Sequence, residues 1–262
     1  MESVAASARA HCKILLAMMC VIGLGNSALA VAGDGGAREL VQVERPEPLD
    51  GMHALIRNSA YEMCANTAKL MDLPVKPFPP TPADFLTERI TVIADASHYL
   101  RKVEHPYSEV VDRMTPQDGC EYRIEPNQQV DITIVNGDKM TSVTRDMDGQ
   151  WQVHEDLATG VAKLRRDDLS NYSTPLTING VSLRCLPTTD PIISPNDLQA
   201  LCVDGSETPV SDAEGKPVVL YSRNKPMGIN PDEPYVVILE PVSLKSMAEI
   251  DPKVFDPASY AQ

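Results

Sequence analysis

Apolar and polar residues alternate with a period of two through much of the chain. Val130, Ile132 and Ile134 alternate with Asp131 and Thr133, Trp151 and Val153 with Gln150, Gln152 and His154, and Ile90, Val92 and Ala94 with Thr91, Ile93 and Asp95. That period puts one set of side chains on each face of a pleated strand. Asn136-Gly137 and Asp148-Gly149 separate the runs Val130–Val135, Lys139–Arg145 and Gln150–His154, the pattern of an antiparallel meander on tight turns. Asn179-Gly180 joins two further β-prone runs between Pro175 and Cys185, and Lys216–Ser222 reads as another strand. Tyr235-Val-Val-Ile-Leu239 is apolar on both faces, as a central strand covered on each side would be. Turn signals, not helices, dominate between the strands, which argues for an antiparallel sheet rather than a βαβ arrangement.

Helical spacing is confined to two places. Met52, Leu55, Ile56, Met63, Leu70 and Met71 recur at three- and four-residue intervals after Asp50, predicting a helix with a methionine-rich core face. Leu73–Pro82, with five prolines, stops it and reads as an extended connector. A short helix over Leu157–Leu169, capped by Asp156, is predicted after the meander. Val31–Leu49, rich in glycine and charge, reads as a flexible lead-in. The expected organisation is therefore a leader over 1–30, a lead-in over 31–49, a helix and connector over 50–82, and an antiparallel β domain over 83–262. The fold class is mainly β with α+β character: a curved antiparallel sheet or incomplete barrel with an N-terminal helix packed on it.

The leader reading rests on Arg9 and Lys13, the eleven-residue apolar run Ile14–Leu24, and the A-x-A signal Ala28-Leu-Ala30. A bilayer span needs roughly twenty apolar residues, so cleavage near Ala30 and export to the periplasm or the exterior are expected. Cys20 lacks the small preceding residue of a lipidated cysteine. Cleavage would lower Lys+Arg from 23 to 21 and Asp+Glu from 37 to 36, moving the net charge from −14 to −15. So acidic a chain repels phosphate backbones, which argues against nucleic acid as a partner. No later run is long enough to be a transmembrane segment. Cys64, Cys120, Cys185 and Cys202 then remain, an even number with three pairings open. Cys185–Cys202 would close the proline-rich loop and Cys64–Cys120 would tie the helix to the sheet. A four-thiolate metal site is disfavoured because no C-x-x-C spacing occurs.

Chemistry-bearing motifs are absent from the chain after the leader. It contains no G-x-S-x-G, G-x-G-x-x-G, P-loop or H-E-x-x-H, so no catalytic, cofactor or metal site is assigned. His53, His98, His105 and His154 fall on different predicted elements. Asp167-Asp168 and Asp232-Glu233 read as solvated loop charge, and Trp151 as core in preference to ligand wall.

Cys202-Val-Asp-Gly205, the strand running into Val237-Ile-Leu-Glu-Pro-Val-Ser and the terminal Asp-Pro-Lys-Val-Phe-Asp-Pro-Ala-Ser-Tyr260 resemble the tail of the periplasmic lipoprotein carriers LolA and LolB. The likeness covers Cys202 to Tyr260. It implies a strongly curved, incomplete antiparallel barrel around an apolar cavity, with the methionine-rich helix as a lid. The leading expectation is a non-catalytic exported protein binding an apolar small molecule or a lipidated protein, with Ile132, Ile134, Trp151, Val153, Val237 and Leu239 as the lining. A cell-envelope assembly protein with a filled core and a hydrolase with a dispersed site are the alternatives.

Overall fold

The computed structural model describes residues 36–49, 51, 61–95, 97–105, 107–110, 119–126, 129–137, 139–146, 148–157, 169–212, 216–225 and 235–261, with backbone alone for 107–110, 156 and 157. The leader, the stripe positions Met52, Leu55 and Ile56, and most of the helix expected over Leu157–Leu169 lie outside these residues. Gly36–Gln262 forms one compact unit.

Thirteen strands are present among the described residues: β1 Ala37–Glu47, β2 Glu88–Ala94, β3 His98–Glu104, β4 Tyr107–Val110, β5 Arg123–Pro126, β6 Val130–Asn136, β7 Lys139–Arg145, β8 Trp151–Leu157, β9 Thr174–Ile178, β10 Val181–Cys185, β11 Leu198–Asp204, β12 Val219–Asn224 and β13 Val236–Met247. Eleven of them form a single antiparallel sheet in the order β8-β7-β6-β3-β2-β1-β13-β12-β11-β10-β9, and β4 and β5 form a separate hairpin. The sheet does not close, because β8 and β9 are its two ends. The mainly-β, antiparallel expectation holds.

β1 overturns the flexible lead-in. Residues 37–47 sit in the middle of the sheet, paired with β2 on one side and β13 on the other. Leu40 and Gln42 face one way and Val41 and Val43 the other. Flanking charges and the glycines before Gly36 mask this alternation in a composition reading. Asp156, read as the cap of the second helix, likewise belongs to β8, in register with Met140.

The sheet curls. In a flat sheet β10 and β13, three positions apart, would stand roughly 14 Å from each other. Instead the β9–β10 turn reaches β13, where Asn179 Nδ2 donates to the Pro241 carbonyl at 2.9 Å. That turn has the left-handed φ angles of its Asn-Gly pair, +51° and +79°. The β6–β7 turn differs from its Asn-Gly expectation. Asn136 remains in the strand opposite Lys139, and Gly137, at φ +62°, begins the loop.

Two apolar layers result. On the inner face Leu40, Val92, Val103, Val135, Leu183 and Leu220 belong to one cluster, closed by Val210 from the loop before β12. Arg38 holds that loop through the Thr208 hydroxyl at 3.2 Å. Tyr99, beneath the same loop, is pushed up to about 12 by burial, with Arg101 opposing and Asp212 adding. On the outer face Leu100, Ile132, Ile134 and Val143 are covered by Phe255 and its neighbours.

The C-terminal segment owes its shape to a repeated dipeptide. Asp251-Pro252 and Asp256-Pro257 each start a 3-10 turn, with the aspartate accepting from the amide of Lys253 or Ala258 and the proline occupying the first turn position. Tyr260 closes the segment, its hydroxyl donating to the Val254 carbonyl at 2.8 Å.

The helix α1, Glu62–Leu70, reverses the expected stripe. It buries Cys64, Ala65 and Ala68 against Cys120 and Val75, while Met63, Leu70 and Met71 are 67%, 89% and 60% exposed. The small inward residues allow close approach to the 74–76 and 119–120 strands of chain, which pair through Val75 and Cys120. Gly119 there has φ +66°, and any Cβ on it would collide with the Pro74 carbonyl. The connector after α1 is docked: Phe78 stacks on Tyr122 at 4.7 Å and meets Tyr61 edge-on at 5.2 Å.

Candidate functional site

Both disulfides are the pairings expected from the sequence. Cys185 and Cys202 are directly opposite on β10 and β11, and Cys64 joins α1 to Cys120. The Cys-Val-Asp-Gly run is structural: buried Asp204 accepts from the amide and hydroxyl of Ser206, and Gly205 donates to Ser182.

The six candidate lining residues divide between faces. Ile132 and Ile134 are buried on the outer face beside half-buried Trp151, and Val153 on the same face is 50% exposed. Leu239 packs against the inner cluster, and the two-residue period puts Val237 on its side. They therefore form no common wall. Periodicity shows that a strand alternates, but pairing decides which parity faces inward, and on β6 it is Val135 that does so.

The polar chemistry gathers where the C-terminal segment crosses β3, β6 and β7. Two open clefts of about 460 and 580 Å³ flank the crossing, and both touch Asn136, Phe255, Asp256 and Pro257. Both volumes fall in the range of small-molecule sites. In the first, His98 Nδ1 stands 3.0 Å from both Asp95 carboxylate oxygens, and its ring stacks on Phe255 at 4.8 Å. Burial pushes the Asp95 carboxyl upward, but the Ser97 amide and the His98 ring and amide outweigh it and hold Asp95 below the ordinary value. In the second, Ile134, Thr141 and Val153 lie beside the Lys139–Glu155 pair, 2.7 Å apart.

A second polar group lies at the far end of β3. His105 places Nδ1 3.1 Å from Glu88 and Nε2 3.1 Å from Asp131. Glu44, opposite Glu88, is raised above the ordinary carboxylate value by burial and by Glu88, with Arg101 opposing. His98 and His105 thus sit at opposite ends of one strand, each with its own carboxylates. The His105 arrangement was not legible in sequence, because Glu88 and Asp131 come from two other strands, β2 and β6. Among the described residues no group of three or more His, Cys, Asp or Glu side chains is arranged to hold a metal ion, and no helix is long and apolar enough to cross a membrane.

No family model, curated protein or solved structure matches this chain.

Proposed function

We propose that this chain is an exported, non-catalytic envelope protein that holds an apolar group, of a small molecule or a lipidated partner, against the outward stripe of α1. The observation that carries the reading is the inversion of that helix. It spends its small residues on the inside and presents Met63, Leu70 and Met71 to solvent. Unbranched thioether side chains adapt to irregular apolar surfaces. The Cys64–Cys120 bond keeps the stripe in place, and such bonds persist in oxidising compartments outside the cytoplasm, in keeping with the leader. The resemblance of Cys202 to Tyr260 to LolA and LolB supports a lipidated partner.

The test is titration with the apolar fluorophore 1-N-phenylnaphthylamine and with a diacylated lipopeptide. The Met63→Glu/Met71→Glu variant is expected to weaken both at least tenfold without moving the urea midpoint. Unchanged binding in that variant would overturn the assignment of the stripe.

A second reading, an envelope assembly protein with a filled core, is favoured by the inner face. Leu40, Val92, Leu183 and Leu220 there are no more than 1% exposed. Apolar binding that is absent from the parent protein, together with capture of a folded envelope partner, would select it.

A further inference from the structure

The two ends of the sheet are built differently. β9 is five residues long, and Pro175 within it removes a backbone donor, a common way of blunting an edge. β8 is seven residues long, has no proline, and keeps unbroken register with β7 from Lys139 opposite Leu157 to Arg145 opposite Trp151. Among the described residues nothing pairs with its other side. Gln152, Val153, His154 and Glu155 are exposed along it.

The surface beside this edge has a definite chemistry. Val153 and Glu155 share the outer face and line the 580 Å³ cleft, with Ile134 and Thr141 behind them and Asp256 across it. Among the described residues Glu155 is paired only with Lys139, and both side chains are more than half exposed, 58% and 56%. Such a surface pair is weak and leaves the carboxylate open to a second cation. We propose that β8 is a docking edge for an extended basic peptide, which adds as a further strand and places an apolar side chain against Val153 and a lysine or arginine against Glu155. The spacing follows from the pleat: Val153 and Glu155 are two residues apart on one face, so the peptide needs its apolar and basic residues two apart as well. A second copy of this chain is the weaker occupant, since a net charge of −14 on each molecule opposes self-pairing. This surface is separate from α1, so the proposal goes beyond the function proposed above.

The chain's single tryptophan, Trp151, lies on β8 and gives a direct readout. The probe is acetyl-Thr-Lys-Thr-Val-Thr-Lys-Thr-amide, palindromic so that either strand direction presents the same face, with the glutamate-for-lysine peptide as its counterpart. The basic peptide is expected to shift Trp151 emission and to slow amide exchange at alternate residues of β8 at least tenfold, and the acidic one to do neither. Glu155→Lys should weaken the basic peptide at least tenfold while leaving the urea midpoint in place, because the side chain is exposed. Equal binding of the two peptides, no binding at millimolar concentration, or protection appearing elsewhere in the chain would overturn the proposal. So would β8 protection that rises with protein concentration in the absence of peptide, which would assign the edge to a second copy.

Discussion

Single residues repair what the strand pattern breaks. Pro241 stands inside β13 opposite Gln42, at an irregularity in the β1–β13 register, and has no amide hydrogen to give. The neighbouring carbonyls on β12 are met instead by the side chain of buried Gln42, whose Nε2 donates to Val219 at 2.9 Å and Leu220 at 3.1 Å. Gln42→Ala should therefore cost ~1–3 kcal/mol in urea unfolding, the penalty for buried acceptors left without a donor. Gln42→Leu should lose nearly as much although it fills the space, and a neutral result for Gln42→Leu would show that packing alone matters here. Two positions further along β1, Glu44 has the opposite effect and weakens the fold. Its carboxyl is raised by burial and by Glu88 in register across from it. A raised carboxyl means that the folded state disfavours the ionised form. Stability falls as pH rises from the ordinary value near 4.5 through the folded one. Glu44→Gln is accordingly expected to stabilise at pH 7 and to give no gain below about pH 4, where both states are protonated. A gain that persists at low pH would point to a cause other than charge.

At the scale of elements, the hairpins were legible and the coverings were not. Asn179-Gly180 specified its turn because two left-handed residues in succession have few other uses. The alternation in β6 was equally plain, yet what covers Ile132 and Ile134 is a segment more than a hundred residues later, and no local signal connects Phe255 with β6. The helix fails for a related reason: Met63 and Leu70 have helical spacing, but so do Cys64, Ala65 and Ala68, and hydrophobicity favoured the wrong set. A disulfide partner and a glycine that lets the chain come close decided the packing. β1 was missed because charged neighbours hid a central strand. The outer layer offers a direct check. Ile132 is 1% exposed, so Ile132→Ala should destabilise by ~2–5 kcal/mol, and Phe255→Ala by about 3 kcal/mol. Because both belong to one cluster, the double variant should lose less than the two losses combined. Full additivity in urea unfolding would mean that the C-terminal segment does not rest on β6.

Over the whole molecule, the two disulfides secure different parts. Cys185–Cys202 lies within the sheet and links residues 17 apart in sequence, whereas Cys64–Cys120 links residues 56 apart and belongs to a separate small core with Ala65, Ala68, Tyr61 and Leu73. In the chain-entropy account each removes freedom from the unfolded chain, by ~3 kcal/mol for the shorter loop and ~4 kcal/mol for the longer. Where that loss appears depends on what unfolds together. Trp151 reports on the sheet from β8, far in strand order from the β10–β11 bond but within the same sheet. Replacing Cys185 and Cys202 by serine should lower the Trp151-detected unfolding free energy by ~3 kcal/mol, since the sheet shares one inner cluster that includes both sulfurs. Replacing Cys64 and Cys120 by serine should leave that transition nearly in place, while the amides of α1 lose their exchange protection at much lower urea. Binding of the apolar fluorophore should fall with the second pair and not with the first. If the Trp151 transition instead moved equally with both pairs, α1 and the sheet would form a single cooperative unit, and the stripe would be part of the sheet's own stability.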